Sequence, residues 1–447
     1  MIAALAAAIL NFYQLGETHL AEDEAQYALV TDDVRRGNWL RPSPYPPATY
    51  DQKPPLYFWL SAMTYDWFGE PGRYRVWSAA AGVGAVGMTA YLGARWIGPL
   101  SGLAAALLLA GHMRWLLIHG ARDGTMDTML ALLHLMVLAQ MTARRATWQQ
   151  WVVIIASSAA ASMLKPVFGV VLISSMIILV WLSKPGSERI RQLKLMCAGW
   201  FAGAAVSIFW IFVGSSGGRE AGGRWLDGIG IDPLFYLRRL GDSSPLHYLA
   251  FPSLLLAAWY GSRLRQWELQ LSSVVAVVWL VVLSIAGGKN GHYVYPVLPM
   301  ICLAMAWAMS AGVGKATKSA SAARWCGAAV LIYAVGICGY RVVVSIPDRN
   351  EIYAPQAFAA LAAGEPVVLM GMGTDQLAWR NKLSLNATDC YYLLRLLERG
   401  ATAREDVPAG MTGVLVVPAG EGTRADLGEP IYANGRLRVY RAGGGSR

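Results

Sequence analysis

Three adjacent carboxylates, Glu22, Asp23 and Glu24, open the stretch EDEAQYALV. Carboxylates can orient a hydroxyl, take its proton or hold a cation. Neighbouring helical residues point about 100° apart, so Asp23 and Glu24 cannot both address one ligand squarely. Asp23 and Tyr27, four residues apart, share a face. Glu22 reads as a solvated acid favoured at a helix N-terminus, which leaves Asp23 and Glu24 as the pair with a catalytic role.

Four further groups have the right chemistry. In HGARDGTMDTMLALL, Arg122 and Asp123 suit an interfacial turn, whereas Asp127 leads straight into an apolar run, where charge is costly and needs a partner. In YDQKPPLYFW, Lys53 precedes two prolines that hold the backbone extended, so it displays a cation with little freedom. A snorkelling lysine accounts for it equally well. GGKNGHYVYPVLP gathers Lys289, His292, Tyr293 and Tyr295. There a lysine can bind phosphate as a point charge and a histidine can titrate near neutrality. Lys165-Pro166 adds one more cation between two apolar runs. Carboxylates and cations beneath an aromatic-rich loop suit a substrate with an anionic head and a greasy tail.

The elements that must position these residues are membrane spans. Of the 447 residues 55% are hydrophobic and 15% charged, and the mean hydropathy is +0.38; ordinary soluble proteins carry about 25% charged residues. The formal charge of +10 is scattered between apolar runs without a nucleic-acid motif, so lipid phosphates, not nucleic acid, are the expected anionic partner. The five cysteines have no metal-like spacing and argue for neither a zinc site nor a disulfide framework.

With about 20 apolar residues per span, helices fall at 2–16, 76–94, 99–118, 126–143, 149–164, 167–183, 195–214, 246–262, 269–286, 293–311 and 325–345, about eleven in all. The N-terminus lacks a basic leader and reads as a retained first helix. Five short loops rich in Arg and Lys are expected on the cytoplasmic side. The loop 17–75, the turns near 119–125 and 165, the loop 215–245, the turn at 287–293 and the tail from 346 then face the other side, taking nearly all the unusual polar residues with them.

The loop 17–75 is too long for a passive connector. A helix over 22–36 with a glycine stop at Gly37, a proline-rich extended stretch, and an interfacial helix over 56–68 are expected in it. Beyond about 350, EPVVLMGM and TGVLVVPA read as strands, DCYYLLRLLERG as a helix and PIYANGRLRVYRA as a hairpin around Asn434-Gly435. The division expected is a transmembrane domain over 1–346, with 17–75 as its catalytic loop, and a small soluble α/β domain over 347–447.

The order of these motifs resembles the membrane-embedded GT-C glycosyltransferases, the bacterial branch with the aminoarabinose transferase of lipid A and the relatives of protein O-mannosyltransferases. EDEAQYA is similar to that family's acidic loop, GNWLRP and KPPLYFWL follow it, ARDGTMD is similar to its second acidic motif, and GKNGHYVYPVLP to its late Lys and Tyr-x-x-Pro segment. The resemblance covers roughly residues 10–310. It implies a polytopic α-helical protein of the bacterial inner membrane. Such a protein moves one sugar, with inversion, from a polyprenyl-phosphate carrier to a periplasmic lipid, glycan or protein acceptor.

By the same resemblance Asp23 is the main catalytic carboxylate, Glu24 its neighbour, Asp127 a supporting or acceptor-side acid and Lys53 a contact of the carrier phosphate. Arg122, Lys289, His292, Tyr293 and Tyr27 are expected to line the substrate. A divalent metal ion is the cofactor to consider. One departure concerns it: Gln52 stands where the resemblance implies a metal-binding glutamate, and an amide is a poorer ligand for a hard cation. Two rival readings use the same features: a translocase of lipid-linked sugars without chemistry, and a polysaccharide polymerase or ligase.

Overall fold

The computed structural model describes the chain apart from residues 45–49, 144–146, 167–169, 171–172, 175, 178–179, 181–185, 214–229, 264–265, 348–353, 371–385, 405–410, 419–428, 434–436 and 443–447, with backbone alone at 186–188, 213 and 262. It forms two compact units, Met1–Leu15 with Asp51–Arg349, and Gly16–Tyr50 with Asn350–Arg447. The second differs from the domain expected from sequence by taking in the front part of the first loop.

The first unit is helical. Val76–Trp96, Arg189–Phe212, Trp267–Ile285, Leu298–Thr317 and Ala320–Ser345 are long and apolar enough to cross a membrane, and Ile2–Phe12, Pro99–Gly111 and Asp127–Met141 are shorter apolar helices. Phe212, Ile332 and Val343 are 80%, 72% and 74% exposed, and such an outward apolar surface is stable in lipid rather than in water. The protein is a multi-pass membrane protein. Helices also occupy Trp148–Ser162 and Ala250–Arg263, overlapping two of the regions expected to span. Most of the span expected at 167–183 lies outside the described residues.

Without a hydrophobic drive between helices in lipid, close approach and buried hydrogen bonds hold them together. At Gly93 and Gly102 two helices meet backbone to backbone: a Cβ on Gly102 would fall 2.3 Å from the Ala94 nitrogen. Asn11 Nδ2 donates to Ala79 O at 3.0 Å, and Thr128 Oγ1 to Ser78 O at 2.9 Å. The stretch expected as one span over 99–118 is broken. His112 adopts an extended backbone and its Nδ1 accepts from Trp115 N at 3.2 Å, ending Pro99–Gly111 and starting Met113–Leu117. A histidine cap supplies the lost hydrogen bond locally.

The second unit is built on a five-stranded sheet of β1 (Val367–Met370), β2 (Thr402–Arg404), β3 (Gly413–Pro418), β4 (Tyr432–Ala433) and β5 (Leu437–Ala442), in the order β2-β1-β3-β5-β4. β1 runs parallel to β2 and β3, with Val368 opposite Leu415, while β5 is antiparallel to β3 and β4. Val368, Met370, Leu415, Val417 and Tyr440 make its core. The turn at Asn434-Gly435 lies outside the described residues, but the strands flanking it pair as a hairpin requires. Helix Ala387–Glu398 begins at a capping box: Asn386 Oδ1 accepts from Asp389 N at 2.8 Å and Asp389 Oδ2 from Asn386 N at 3.3 Å.

Against that helix packs Glu22–Arg35, closed by Gly37 at φ 110°. The acidic helix buries Glu24, Asp32 and Asp33 among its apolar residues, and buried charge must be compensated. Asp32 meets Arg395 at 2.5 Å, with side chains 7% and 10% exposed. Asp33 accepts from Asn38 Nδ2 at 3.0 and 2.9 Å and from Ser43 N at 2.7 Å. The entry to the helix is held by Leu20 N donating to the Tyr392 hydroxyl and Glu22 N to Thr388 Oγ1, both at 2.7 Å.

Removing one partner of a buried ion pair costs about 3–5 kcal/mol because the other charge is left stranded. Arg395→Met is therefore expected to speed amide hydrogen exchange across Glu22–Arg35 about a hundredfold or more, at about 1.4 kcal/mol per decade. Combining it with Asp32→Asn should recover part of that loss. Unchanged exchange in Arg395→Met would show that the pair does not anchor the helix.

Candidate active site in the membrane unit

The turn after Met113–Leu117 is tightly wound. Ala121 N donates to Trp115 O at 2.7 Å and Arg122 N to Leu116 O at 3.0 Å, leaving no room at Gly120, where a Cβ would lie 1.8 Å from Trp115 O. His119 is held at φ 51°, a conformation unusual for a side-chain-bearing residue. Its N–H donates to the Asp123 carboxylate, and its carbonyl accepts from Thr125 Oγ1 at 2.9 Å. Asp123 is thus the turn residue the sequence suggested. Strain of this kind is kept where the surroundings over-determine it.

Asp127 opens the next helix and is buried. Its partner is Lys165, whose Nζ lies 2.5 Å from Oδ1; the two side chains are 3% and 7% exposed. The same ammonium stands 5.6 Å from the centre of the Tyr293 ring, within cation–π range.

The segment Gly291–Val294 closes on this pair from another side. His292 stacks on His119 with ring centres 4.3 Å apart and planes at 22°. The Tyr295 hydroxyl lies 2.6 Å from Arg114 O and 2.5 Å from Ile118 O, tying this segment to the His119 turn, and Trp279 Nε1 donates to Tyr293 O at 2.9 Å. Burial first, then the charges of Lys165, His119, Lys53 and Arg114, hold His292 well below the ordinary histidine value. Its imidazole is neutral near pH 7. Lys53, Arg114 and Lys165 thus converge on one neutral histidine, an environment suited to an anion. One imidazole nitrogen each from His119 and His292 and one oxygen of Asp127 lie within 4.8 Å of one another.

Arg122 and Lys289, in the same unit, hold backbone carbonyls. The guanidinium of Arg122 closes the end of helix Ile2–Phe12, donating to Leu10 O at 2.9 Å, Tyr13 O at 2.5 Å and Gln14 O at 2.9 Å. Orphan carbonyls at a helix C-terminus attract a cation for that purpose. Lys289 Nζ donates to Gly230 O and, at 2.5 Å, to Ala286 O, so it fastens a loop. Asp23, Glu24 and Tyr27 belong to the second unit. There Asp23 is exposed, whereas Glu24 and Tyr27, three residues apart, are both buried, and Tyr27 packs edge-on to Tyr50 at 6.3 Å. Of the two acids within one turn of Tyr27, Glu24 is thus the buried one and Asp23 the exposed one.

Sequence reasoning missed His119 and Arg114. The signal for His119 was its place in HGARDGTMD, two residues before Ala121 and eight before Asp127; the signal for Arg114 was a charge inside an apolar run.

If the Asp127–Lys165 pair holds the site, Asp127→Asn and Lys165→Met should each destabilise the protein by about 3–5 kcal/mol, as breaking a buried pair does. The double variant should lose clearly less than the sum of the two. Thermal unfolding in detergent would show it, and strictly additive losses would exclude a coupled pair.

No protein-family model and no curated protein matches this chain. Among solved structures it is similar to ArnT from Cupriavidus metallidurans bound to undecaprenyl phosphate, at 18% identity and a TM-score of 0.68 over 98% of this chain and 97% of that one. The apo state of that protein matches at 17% identity and a TM-score of 0.67 with the same coverage. An oligosaccharyltransferase from Archaeoglobus fulgidus, in complex with Zn and sulfate, matches at 11% identity and a TM-score of 0.54 over 93% of this chain and 67% of that one. From one end to the other, the chain has the fold of the GT-C glycosyltransferase ArnT.

Proposed function

We propose that the protein is an integral-membrane glycosyltransferase. It moves a single sugar from a polyprenyl-phosphate carrier to an acceptor in the bacterial envelope, with inversion at the anomeric carbon. The observation that carries this reading is the convergence of Lys53, Arg114 and Lys165 around His292 beside the buried Asp127. The fold likeness to a protein solved with undecaprenyl phosphate supports the class of donor. The membrane is the inner membrane, about eleven helices span it, and the site faces the periplasm, as the basic short loops on the opposite side suggest.

In such a displacement the acceptor oxygen forms a bond to the anomeric carbon as the bond to the carrier phosphate breaks, and the phosphate leaves with an added negative charge. Fixed cations at the place where that charge develops lower the barrier more than they stabilise the bound donor. Lys53 and Lys165 take this part, with Arg114 adding to the field. His292, neutral, can donate a hydrogen bond without adding charge. Asp127 keeps Lys165 in place and so positions one of the cations.

For Asp23 and Glu24 the assignment rests on the sequence motif: Asp23 orients and deprotonates an acceptor hydroxyl, and Glu24 supports it. A phosphate acceptor would already be nucleophilic, and Asp23 would then serve for orientation alone. A translocase without chemistry would place ionisable groups along a path through the bilayer, whereas the cluster here is compact.

Lys53→Met should leave the protein folded and inserted while lowering sugar transfer by about a hundredfold or more in kcat, the scale of losing one charge-stabilising group. Asp23→Asn should abolish transfer to a hydroxyl acceptor. Reconstituted protein with a radiolabelled polyprenyl-phosphate sugar would show both, and transfer at the wild-type rate by Lys53→Met would overturn the assignment.

A further inference from the structure

We propose that the hydroxyl of Tyr57 is the positioning group for Lys53 and sets how that ammonium meets an anionic headgroup. The inference rests on the reading of Lys53 as a contact of the carrier phosphate, and it names the device that holds the cation in place.

Lys53 lies ahead of Pro54 and Pro55, both buried, and helix Leu56–Met63 follows directly. Two proline rings fix their own φ and restrict the residue before them, so the stretch from Lys53 onward moves as one piece with the start of that helix. The helix start is held by its second residue. Tyr57 is 1% exposed, and its hydroxyl donates to Tyr74 O at 2.7 Å and lies 2.8 Å from Ser78 Oγ. Ser78 Oγ in turn donates to Thr125 O. Two hydroxyl protons are thus shared among three contacts, a chain in which each bond polarises the next.

The far end of that chain reaches the residues that form the site. Thr125 Oγ1 donates to His119 O at 2.9 Å, and Thr128 Oγ1, one residue past Asp127, donates to Ser78 O at 2.9 Å. Ser78 therefore joins the helix behind Lys53, the turn that carries His119 and the helix that begins at Asp127. The charge of Lys53 bears on His292, which stacks on His119, so the chain connects two sides of one cluster.

The other end of helix Leu56–Met63 has a fastening of its own. Trp77 Nε1 donates to Leu60 O and to Thr64 Oγ1, both at 2.9 Å, and Phe58 is fully buried. Removing the Tyr57 hydroxyl leaves the helix docked and loosens only its start, where Lys53 is attached. A misplaced ammonium loses a directed contact with a phosphate oxygen. An uncharged polyprenyl chain does not depend on it.

The test is binding of undecaprenyl phosphate to the purified full-length protein in detergent, with undecaprenol, which lacks the phosphate, as a second probe. Tyr57→Phe keeps the ring and removes the hydroxyl. It should weaken binding of the phosphate about fivefold or more, the scale of one hydrogen bond, and leave binding of undecaprenol unchanged. Lys53→Met should weaken the phosphate about tenfold or more, as loss of a charge-assisted contact does. Tyr57→Phe/Lys53→Met should match Lys53→Met alone within about twofold, because the hydroxyl acts through the lysine. Wild-type phosphate binding by Tyr57→Phe, equal losses for the two lipids, or a double variant in which the two losses multiply would each overturn the positioning role while leaving the phosphate contact of Lys53 standing. Phosphate binding at wild-type strength by Lys53→Met would instead remove the carrier-phosphate reading, and the inference with it.

Discussion

A carboxylate and an ammonium, Asp127 and Lys165, stand 2.5 Å apart in the membrane unit, almost wholly shielded from solvent. Taking either ion alone out of water costs several kcal/mol, and only an excellent partner offsets it. That requirement fixes more than the pair. The helix beginning at Asp127 and the break at Lys165-Pro166 must meet, and the turn from His119 to Thr125 must deliver Asp127 at the right height. The segment Gly291–Val294 then closes over them through the stack of His292 on His119 and the Tyr295 hydroxyl. The pair is weak evidence for net stability but strong evidence for a specified geometry.

The cations around it explain how one neutral ring sits among several positive groups. Lys53 and Arg114 bear on His292 together with Lys165, and a histidine in such a field loses its proton readily. A patch of this composition suits an anion. A lipid-linked phosphate would supply one, and the field that binds it would also favour its departure with added charge.

Much of this was legible in the sequence, for reasons that differ by element. Asp127 stood out because a carboxylate leading an apolar run must find a cation, and Lys165 stood out as a lone cation between two such runs. What the sequence did not contain was that each was the other's partner, 38 residues apart. Spans came from length and hydropathy, yet the break at His112 escaped because a histidine capping a helix within an apolar stretch leaves no periodic signal. Arg122 was expected to line the substrate from its place in the motif ARDGTMD. It turns to the carbonyls of the first helix, a demand set by backbone chemistry that residue type alone does not reveal. The acids of the first loop divide in a way that needed the fold. Asp32 and Asp33 passed unnoticed beside Asp23, yet they bind the acidic helix to Arg395 and to its own following loop. Arg395 lies 363 residues away, and no local pattern could connect it to the helix it holds.

The account stands on transfer of one sugar from a lipid carrier, and mass spectrometry of envelope lipids and glycans tests this directly. Cells with and without the protein should differ by a species heavier by a single sugar residue, present only when the protein is made and lost in the Lys53→Met strain. Identical profiles, while labelled carrier lipid still crosses the membrane in a protein-dependent way, would contradict the account and favour transport without bond transfer.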